Sequence, residues 1–233
     1  MKEFLKKYAD TIGIDIDDKK AEMFEKYKDI LIEKNKVMNL TAITEEKDIV
    51  VKHFIDSIIP LCYRDLSGKD VIDIGTGAGF PGMPIKIVCE SVNMTLMDSL
   101  KKRIDFLNEA AEYIGISDIK TFHLRAEDAG KDEMFREKYD HCVSRAVASL
   151  NILSEYCLPL IKVGGEFIAL KGPDAENEIK DAEKAIEILG GEVEEIKYTD
   201  IAGTDINHNI VFIRKVKECP EKYPRRANKI GKF

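Results

Sequence analysis

The chain has 233 residues, 44% of them hydrophobic and 34% charged, with a formal net charge of −7. This length is enough for one large α/β domain with a helical addition and a sizeable core. The composition is that of an ordinary soluble globular protein, no apolar stretch approaches the roughly 20 residues of a membrane span, and the negative charge argues against indiscriminate nucleic-acid binding by the whole surface.

The first residues and the cysteines indicate a reducing compartment. Residues 1–7 interleave charged and apolar side chains and lack the apolar core of a signal peptide, so we expect a cytoplasmic location. The five cysteines are scattered and include no C-x-x-C pair, which indicates neither a disulfide framework nor a zinc site. We therefore expect free thiols and no bound metal.

Residues 1–66 have the pattern of amphipathic helices. Apolar residues recur there at spacings of three and four, with lysine and glutamate between them. Asp17 or Asp18 is predicted to cap the second helix, which should end between Asn35 and Asn39. We expect residues 1–66 to form a helical extension and residues 67–233 to form the main domain.

A histidine and an aspartate lie three residues apart near the end of this helical region. At that spacing His53 and Asp56 share one face of a helix, where the carboxylate can orient the imidazole. The pattern has two interpretations, a catalytic base with its orienting group or a packing or capping contact.

Residues 71–82 read Val-Ile-Asp-Ile-Gly-Thr-Gly-Ala-Gly-Phe-Pro-Gly. This pattern predicts a buried strand, a tight glycine turn and the start of a helix. Glycines have no Cβ, so backbone N–H groups in such a turn can approach a ligand closely at the positive end of the helix. The stretch therefore predicts a site for a nucleotide-like ligand.

Two kinds of ligand fit the glycine turn. Gly77, Gly79 and Gly82 match the dinucleotide pattern G-x-G-x-x-G, whereas a P-loop is excluded because no Gly-Lys-Ser/Thr follows. Asp73, two residues before Gly75, is a poor neighbour for a pyrophosphate and a good one for a positively charged ligand. S-adenosylmethionine carries a sulfonium and an α-ammonium group, and it is the ligand that Asp73 favours.

From Lys69 onward strands alternate with helices, which predicts a doubly wound, mostly parallel sheet. The second strand ends at Asp98, 23 residues after Gly75, where an acid can accept hydrogen bonds from the ribose of a nucleoside. Gly164 and Gly165 are predicted to form a turn before the fifth strand. Further strands are predicted at residues 119–123, 139–143 and 166–170, with an antiparallel pair at the sheet edge from residues 193–198 and 209–213.

Eight short motifs occur in order over almost the full chain: NLTAI, HFIDS, DIGTGAGFPG, MDSLKKR, RAED, VSRAVA, LKG and KYPRR. Together they resemble the bacterial small-subunit ribosomal RNA methyltransferase G family, also called glucose-inhibited division protein B. The resemblance implies a class I methyltransferase fold, with a mostly parallel seven-stranded sheet and helices on both faces. It also implies methylation of guanine N7 in small-subunit (16S) rRNA, with S-adenosylmethionine as the cofactor.

The resemblance and the physical arguments together give a set of cofactor-binding residues. The family's positions fall on Gly75 and Phe80 in the glycine turn, Ala126 and Glu127 after the third strand, and Arg145 after the fourth. Gly77 belongs to the same turn, and the charge and ribose arguments add Asp73 and Asp98.

No catalytic side chain is expected, because guanine N7 carries a lone pair and no proton, and in-line methyl transfer needs positioning rather than a general base. Methylation of an exocyclic amine is disfavoured because the fourth strand leads into Ser144-Arg145-Ala146-Val147 rather than a Pro-Pro-aromatic motif. Methylation of cytosine C5 is disfavoured because no cysteine follows a proline. A small-molecule methyltransferase, a non-catalytic assembly factor and, least of all, a nicotinamide dehydrogenase stay open as alternatives.

Two basic clusters predict contacts with RNA phosphates. One lies just after the second strand, and residues 222–233 hold five positive charges and no acid. The predicted phosphate-binding residues are Lys101, Lys102, Arg103, Lys171, Arg225 and Arg226. The resemblance implies small-subunit rRNA or the 30S particle as the partner, and the sequence leaves both alternatives open. The tail departs from the family pattern, which usually has glycine and further prolines there.

Overall fold

The computed structural model of this chain describes residues 1–200, 204 and 207–233. The strands are β1 Asp70–Ile74, β2 Asn93–Asp98, β3 Lys120–His123, β4 Tyr139–Arg145, β5 Ile161–Lys171, β6 Gly191–Asp200 and β7 Asn207–Lys215. The α-helices are α1 Lys2–Thr11, α2 Asp18–Met38, α3 Glu46–Asp48, α4 Asp56–Ile58, α5 Gly82–Val88, α6 Lys101–Ile114, α7 Ala126–Ala129, α8 Leu150–Cys157 and α9 Ala175–Ile188. A π-helix spans Ile49–Ile55, and 3-10 turns span Ile59–Cys62, Leu158–Leu160 and Ala227–Lys229.

The seven strands form one sheet in the order β3-β2-β1-β4-β5-β7-β6. Its pairs are parallel except those of β7, which runs antiparallel to both β5 and β6. The predicted fold class and the antiparallel pair at the sheet edge are thus confirmed. The order of strands reverses between β1 and β4, and ligands of such sheets bind outside the carboxyl ends of the strands at this point.

The N-terminal helices cover one face of the sheet together with α5 and α6. Phe24 and Tyr27 of α2 and Phe54 of the π-helix are fully buried and belong to the same hydrophobic cluster as Val71 and Leu96 of the sheet. The helical prediction for this region is confirmed. The division of the chain at residue 66 stays a prediction, because the helices and the sheet share this cluster.

Helix α2 begins and ends as the sequence predicts. Asp17 is its N-cap and accepts a hydrogen bond from the backbone N–H of Lys20 at 2.8 Å. Met38 is its last residue, and Asn39 follows in the left-handed conformation with φ 52°. Asparagine adopts this conformation more readily than most residues because its short polar side chain bonds locally.

The opposite face of the sheet is covered by α8, α9 and the C-terminal segment. Leu150, Leu153 and Ile186 from these two helices form a second buried cluster with Ile72 and Cys142 of the sheet. The backbone N–H groups of Arg225 and Gly231 donate to Glu155 of α8, so the basic tail is part of the folded structure.

The turn predicted at Gly164 and Gly165 is wrong. Strand β5 begins at Ile161 and runs through both glycines with a register shift against β4. A Cβ on Gly165 would collide with the carbonyl oxygen of Asp140, so close approach of the two strands requires glycine there. The pair marks a bulge within a strand rather than a reversal of the chain.

Candidate active site

The glycine loop leaves β1 at the point where the strand order reverses. Gly75, Gly77 and Gly79 have φ values of 69°, 61° and 100°, which favour glycine. A Cβ on Gly75 would lie 2.5 Å from Val147 Cγ2, and one on Gly79 would lie 2.7 Å from Met83 Cγ. A Cβ on Gly77 would meet nothing nearer than the Gly75 carbonyl oxygen at 3.9 Å, so this part of the loop faces open space.

Helix α2 supports the glycine loop through its buried residue Tyr27. The buried Tyr27 hydroxyl donates to the carbonyl oxygen of Ala78, and the Tyr27 ring lies 5.6 Å from the ring of Phe80. The N-terminal helices therefore help to shape the glycine loop as well as to cover the sheet.

Asp73 lies inside the protein beneath the loop and does not line the cavities around it. Its Oδ2 accepts hydrogen bonds from Thr76 Oγ1 at 2.7 Å and from the Gly82 N–H at 2.8 Å, while its buried Oδ1 has no partner among the described residues. Burial raises the pKa of this carboxyl from 3.8 to about 7. The Asp73 carboxyl holds the loop in place, but its two donors only partly stabilise its own negative charge.

Asp98 ends β2 at the other side of the loop. Its Oδ2 accepts from the Gly77 N–H at 3.0 Å and from Arg103 Nη1 at 3.1 Å, and its Oδ1 accepts from the Leu100 N–H at 2.9 Å. The carboxylate thus connects the glycine loop to the first turn of α6.

Two neighbouring cavities surround the loop. One of about 430 Å³ is lined by Gly75, Gly77, Phe80, Asp98 and Arg145 among others. A smaller one of about 150 Å³ continues past Gly75 and Asp98 to Ala126 and Glu127 at the start of α7. All the predicted cofactor-binding residues except Asp73 therefore line one of the two cavities. Together we call these the loop cavities.

Apart from the loop cavities, a separate cavity of about 450 Å³ lies on the other side of Arg145, between the π-helix, the end of β5 and the start of β7. It shares His53, Arg145 and Ala146 with the larger loop cavity. Lys52, Asp56, Lys171 and His208 also line it. We call it the second cavity.

Asp56 joins the two sides of the second cavity. Its Oδ2 accepts from Arg145 Nη1 at 2.6 Å, and its Oδ1 accepts from His208 Nδ1 at 2.6 Å. Burial favours the neutral acid, but the His208 hydrogen bond and the Arg145 charge outweigh it and hold the pKa of Asp56 below its usual range. The same hydrogen bond raises the pKa of His208 against the effect of burial. Asp56 and His208 therefore each stabilise the charged form of the other.

His53 is not oriented by Asp56, so of the two interpretations of this pair the structure favours the packing contact. Its Nδ1 faces Arg145 Nη2 at 3.4 Å, and its Nε2 lies 2.8 Å from Thr41 Oγ1. Because the guanidinium can only donate, Nε2 carries the proton and donates to Thr41. Burial and the Arg145 charge lower the pKa of His53 to about 4, and its ring stacks on Phe80 at 4.4 Å. It is a neutral packing group near pH 7.

The predicted phosphate-binding residues differ in what holds them. Lys101 and Lys102 are exposed on the first turn of α6, and the neighbouring Arg103 is bound to Asp98. Arg226 is exposed on the C-terminal segment.

Two predicted phosphate contacts disagree with the structure. Lys171 is buried and donates to the Ala148 carbonyl at 2.9 Å and to Glu178 at 2.7 Å. Arg225 donates to the fully buried Glu155 at 2.6 Å, and its guanidinium lies 4.2 Å from the Phe233 ring centroid. Both cations are paired with carboxylates of the chain itself, which sequence spacing did not reveal.

Sequence reasoning missed His208 and Val147. His208 lies at the start of β7, which is paired on both sides, more than 150 residues after Asp56, and no local sequence pattern predicts that contact. Val147 lines both loop cavities, and only the steric conflict with a Cβ at Gly75 reveals its position.

No helix among the described residues is long and apolar enough to cross a membrane. The described ranges also contain no cluster of three His, Cys, Asp or Glu side chains suited to hold a metal ion.

The fold is shared with methyltransferases of known structure. The structure of TYW2 from M. jannaschii in complex with AdoMet matches with a TM-score of 0.56 and 11% sequence identity, over 75% of this chain and 80% of that one. The sheet order, the glycine loop and the acid at the end of β2 define a class I S-adenosylmethionine-dependent methyltransferase.

Sequence comparison narrows this class to one family. The family model described as rRNA small subunit methyltransferase G matches residues 20–208. Proteins named ribosomal RNA small subunit methyltransferase G from Alkaliphilus oremlandii and Clostridium perfringens are 52% and 48% identical, over 100% and 99% of this chain and 98% and 97% of their own lengths. The chain belongs to the rRNA small subunit methyltransferase G family, as the motifs predicted.

Proposed function

We propose that this protein transfers the methyl group of S-adenosylmethionine to N7 of a guanine in small-subunit (16S) rRNA, at the carboxyl ends of β1, β2 and β4. The observation that carries the proposal is the pair of sites that meet at Arg145. The loop cavities are suited to a nucleoside cofactor, and the second cavity has room for a base on the far side of the same guanidinium. A transferase needs such a shared boundary for its two substrates.

The loop cavities fit the cofactor by the chemistry of their residues. Gly77 leaves open space where a side chain would stand, and Asp98 supplies a carboxylate for ribose hydroxyls. Ala126 and Glu127 line the narrow end, where an adenine would lie, and Phe80 and Arg145 line the wide end. The cofactor supplies an electrophilic methyl group on a sulfonium.

Asp73 supports this assignment without touching the cavity. Its unpaired Oδ1 makes the region beneath the loop electronegative, and its ionised form is favoured by a positive charge above the loop. A sulfonium and an ammonium supply that charge, whereas a pyrophosphate would oppose it. We assign Asp73 an electrostatic role beneath the loop rather than a direct contact.

The chain's own residues hold the reactants and need not move a proton, because guanine N7 is unprotonated. Arg145 is fixed by Asp56, by the Lys52 carbonyl at 3.1 Å and by stacking on Phe80 at 5.1 Å. Such a fixed boundary holds nucleophile and methyl in line, which is the main requirement of this displacement.

We assign RNA phosphate contacts to the exposed Lys101, Lys102 and Arg226, with Arg103 as a further contact beside the loop. The N-terminus of α6 lies next to the loop cavities, so RNA bound there would reach the methyl group. We propose the 30S particle as the substrate, since two separated clusters suit one structured polyanion.

Transfer of a labelled methyl group tests the proposal. Small subunits isolated from cells that lack this protein are incubated with labelled S-adenosylmethionine and the protein, and the modified base is mapped. We expect label on guanine N7, and more of it on subunits than on naked 16S rRNA. Intact cofactor binding with no label in RNA would contradict the proposed activity, and equal labelling of both substrates would contradict the 30S preference.

A further inference from the structure

Among the described residues that line the second cavity, one ring nitrogen has no hydrogen-bond partner within the chain and is open to a ligand. Arg145 already uses Nη1 for Asp56 and the Lys52 carbonyl, and its Nη2 faces His53. Lys171 is bound to Ala148 and Glu178. His208 uses Nδ1 for Asp56, so Nε2 is the nitrogen of this half-exposed ring that can meet a base in the cavity.

We propose that the second cavity holds the target guanine and that His208, fixed by Asp56, recognises it by donating a hydrogen bond from Nε2 to O6. The proposal rests on the proposed function, since it names the group that selects the base. Asp56 is a positioning residue in this scheme, because it holds both His208 and Arg145 without contacting the base.

Base chemistry favours a donor at this place. Guanine presents two acceptors, N7 and O6, on the edge that is methylated, whereas adenine presents the acceptor N7 and the N6 amino donor. A protonated imidazole is a donor at both nitrogens and cannot accept. It therefore pairs with O6 and rejects an amino group at the same place, while N7 stays free for the methyl group.

The position of His208 agrees with this requirement. N7 must lie at the boundary shared with the loop cavity, which consists of His53, Arg145 and Ala146. O6 lies next to N7 in the base. Asp56 contacts Arg145 with one oxygen and His208 with the other. Only this carboxylate therefore lies between the imidazole and Arg145 at the boundary.

The charged groups around His208 favour its donor form. From the helical region it faces the Asp56 carboxylate, with His53 and Lys52 on the same cavity wall, and from β4 and β5 it faces Arg145 and Lys171. Asp56 raises its pKa and Arg145 opposes this more weakly. The imidazolium is present below the raised pKa, so recognition is lost as the pH rises through that pKa.

The test is the pH dependence of kcat/KM for 30S subunits with three proteins. We expect the activity of the wild type to fall at high pH through one ionisation whose apparent pKa lies above the ordinary His value of about 6.5. His208→Arg keeps a permanent donor paired with Asp56 and should show no such fall. His208→Asn should be about 10- to 100-fold less active at pH 6.5 and should show no such fall either, as expected for loss of a charged hydrogen bond.

His141→Asn is the matched control, because His141 lies on β4 and does not line the second cavity. It should retain the pH profile of the wild type. Calorimetric titration of each variant with S-adenosylmethionine checks that the loop cavities are intact.

The outcomes separate this inference from the proposed function. Wild-type protein that labels guanine N7 while His208→Asn matches it at every pH would overturn the inference alone. An alkaline fall that persists in His208→Arg belongs to another group and would overturn it as well. Wild-type protein that leaves guanine N7 unlabelled would overturn the proposed function and the inference with it.

Discussion

Single carboxylates set the electrostatics on both sides of the proposed transfer. Asp73 is buried with one oxygen unpaired and a raised pKa, whereas Asp56 is equally buried but has two cationic partners and a lowered pKa. The difference follows from their partners, because hydroxyl and amide donors compensate a buried charge less than a guanidinium and an imidazolium do. A cationic ligand above the loop would supply the compensation that Asp73 lacks.

Replacing Asp73 by asparagine should change how stability depends on pH. A pKa of about 7 in the folded state, against 3.8 ordinarily, means that the folded protein retains a proton that the unfolded chain has released. The free energy of unfolding of the wild type should therefore fall between about pH 4 and pH 7, by on the order of 2 to 4 kcal/mol. An amide at this position cannot titrate, so thermal unfolding of Asp73→Asn should lose this slope.

Cofactor binding gives the complementary measurement for Asp73. We expect S-adenosylmethionine to bind Asp73→Asn less tightly than the wild type at pH 8, because the negative charge beneath the loop is absent. Parallel stability curves for the two proteins from pH 4 to pH 8 would contradict the assigned pKa. Equal affinities would contradict the electrostatic role.

At the scale of elements, the predictable part of this molecule is local. The strand, glycine turn and helix of residues 70–88 follow from composition, and Asp17 and Asn39 bound α2 as their side chains dictate. The π-helix did not follow, because Ile49, Val50 and Val51 are all buried and such a continuous apolar run has no helical period. The bulge at Gly165 needed the neighbouring strand, since its cause is the Asp140 carbonyl.

Helix α2 should matter for cofactor binding although it lies outside the loop cavities. Tyr27→Phe keeps the buried ring and removes the hydroxyl that donates to the Ala78 carbonyl. The carbonyl is then buried without its partner, which costs about 1 to 3 kcal/mol. We expect lower thermal stability and a higher KM for S-adenosylmethionine with little change in the KM for RNA.

Tyr8→Phe is the matched control for Tyr27→Phe. Tyr8 lies in α1, is partly exposed, and packs against Phe4. It should keep the stability and kinetics of the wild type. A Tyr27→Phe variant that binds the cofactor as well as this control does would mean that the loop keeps its shape without α2.

For the whole molecule, the sequence predicted the residues around the glycine loop better than it predicted the roles of charged residues on the protein surface. Residues close in sequence to strand ends, such as Gly75 and Ala126, do line the loop cavities. The basic tail misled the prediction at Arg225, because five positive charges in residues 222–233 resemble an RNA-binding arm whether or not a buried acid neutralises one of them. Only the folded packing of the tail on α8 distinguishes these cases.

The two arginines of the tail should therefore behave differently. Arg225→Ala leaves the fully buried Glu155 without its partner and should lower the free energy of unfolding by about 2 to 4 kcal/mol, less than a fully buried pair because Arg225 is 20% exposed. Arg226→Ala should leave the melting temperature unchanged and reduce the salt dependence of RNA binding by about one unit of slope. Thermal unfolding and RNA titration at several salt concentrations measure both. Reversed behaviour would contradict the assignment of the tail.

The late position of β7 has a consequence for the time at which activity can arise during synthesis. Every described residue that lines the loop cavities precedes residue 157, whereas the second cavity needs residues 170–172 and His208 as well. A ribosome therefore completes the cofactor-binding residues about fifty codons before it adds the histidine that we assign to base selection. A nascent chain of this protein therefore contains the residues that we assign to cofactor binding before it contains His208, which we assign to selection of the methylated base.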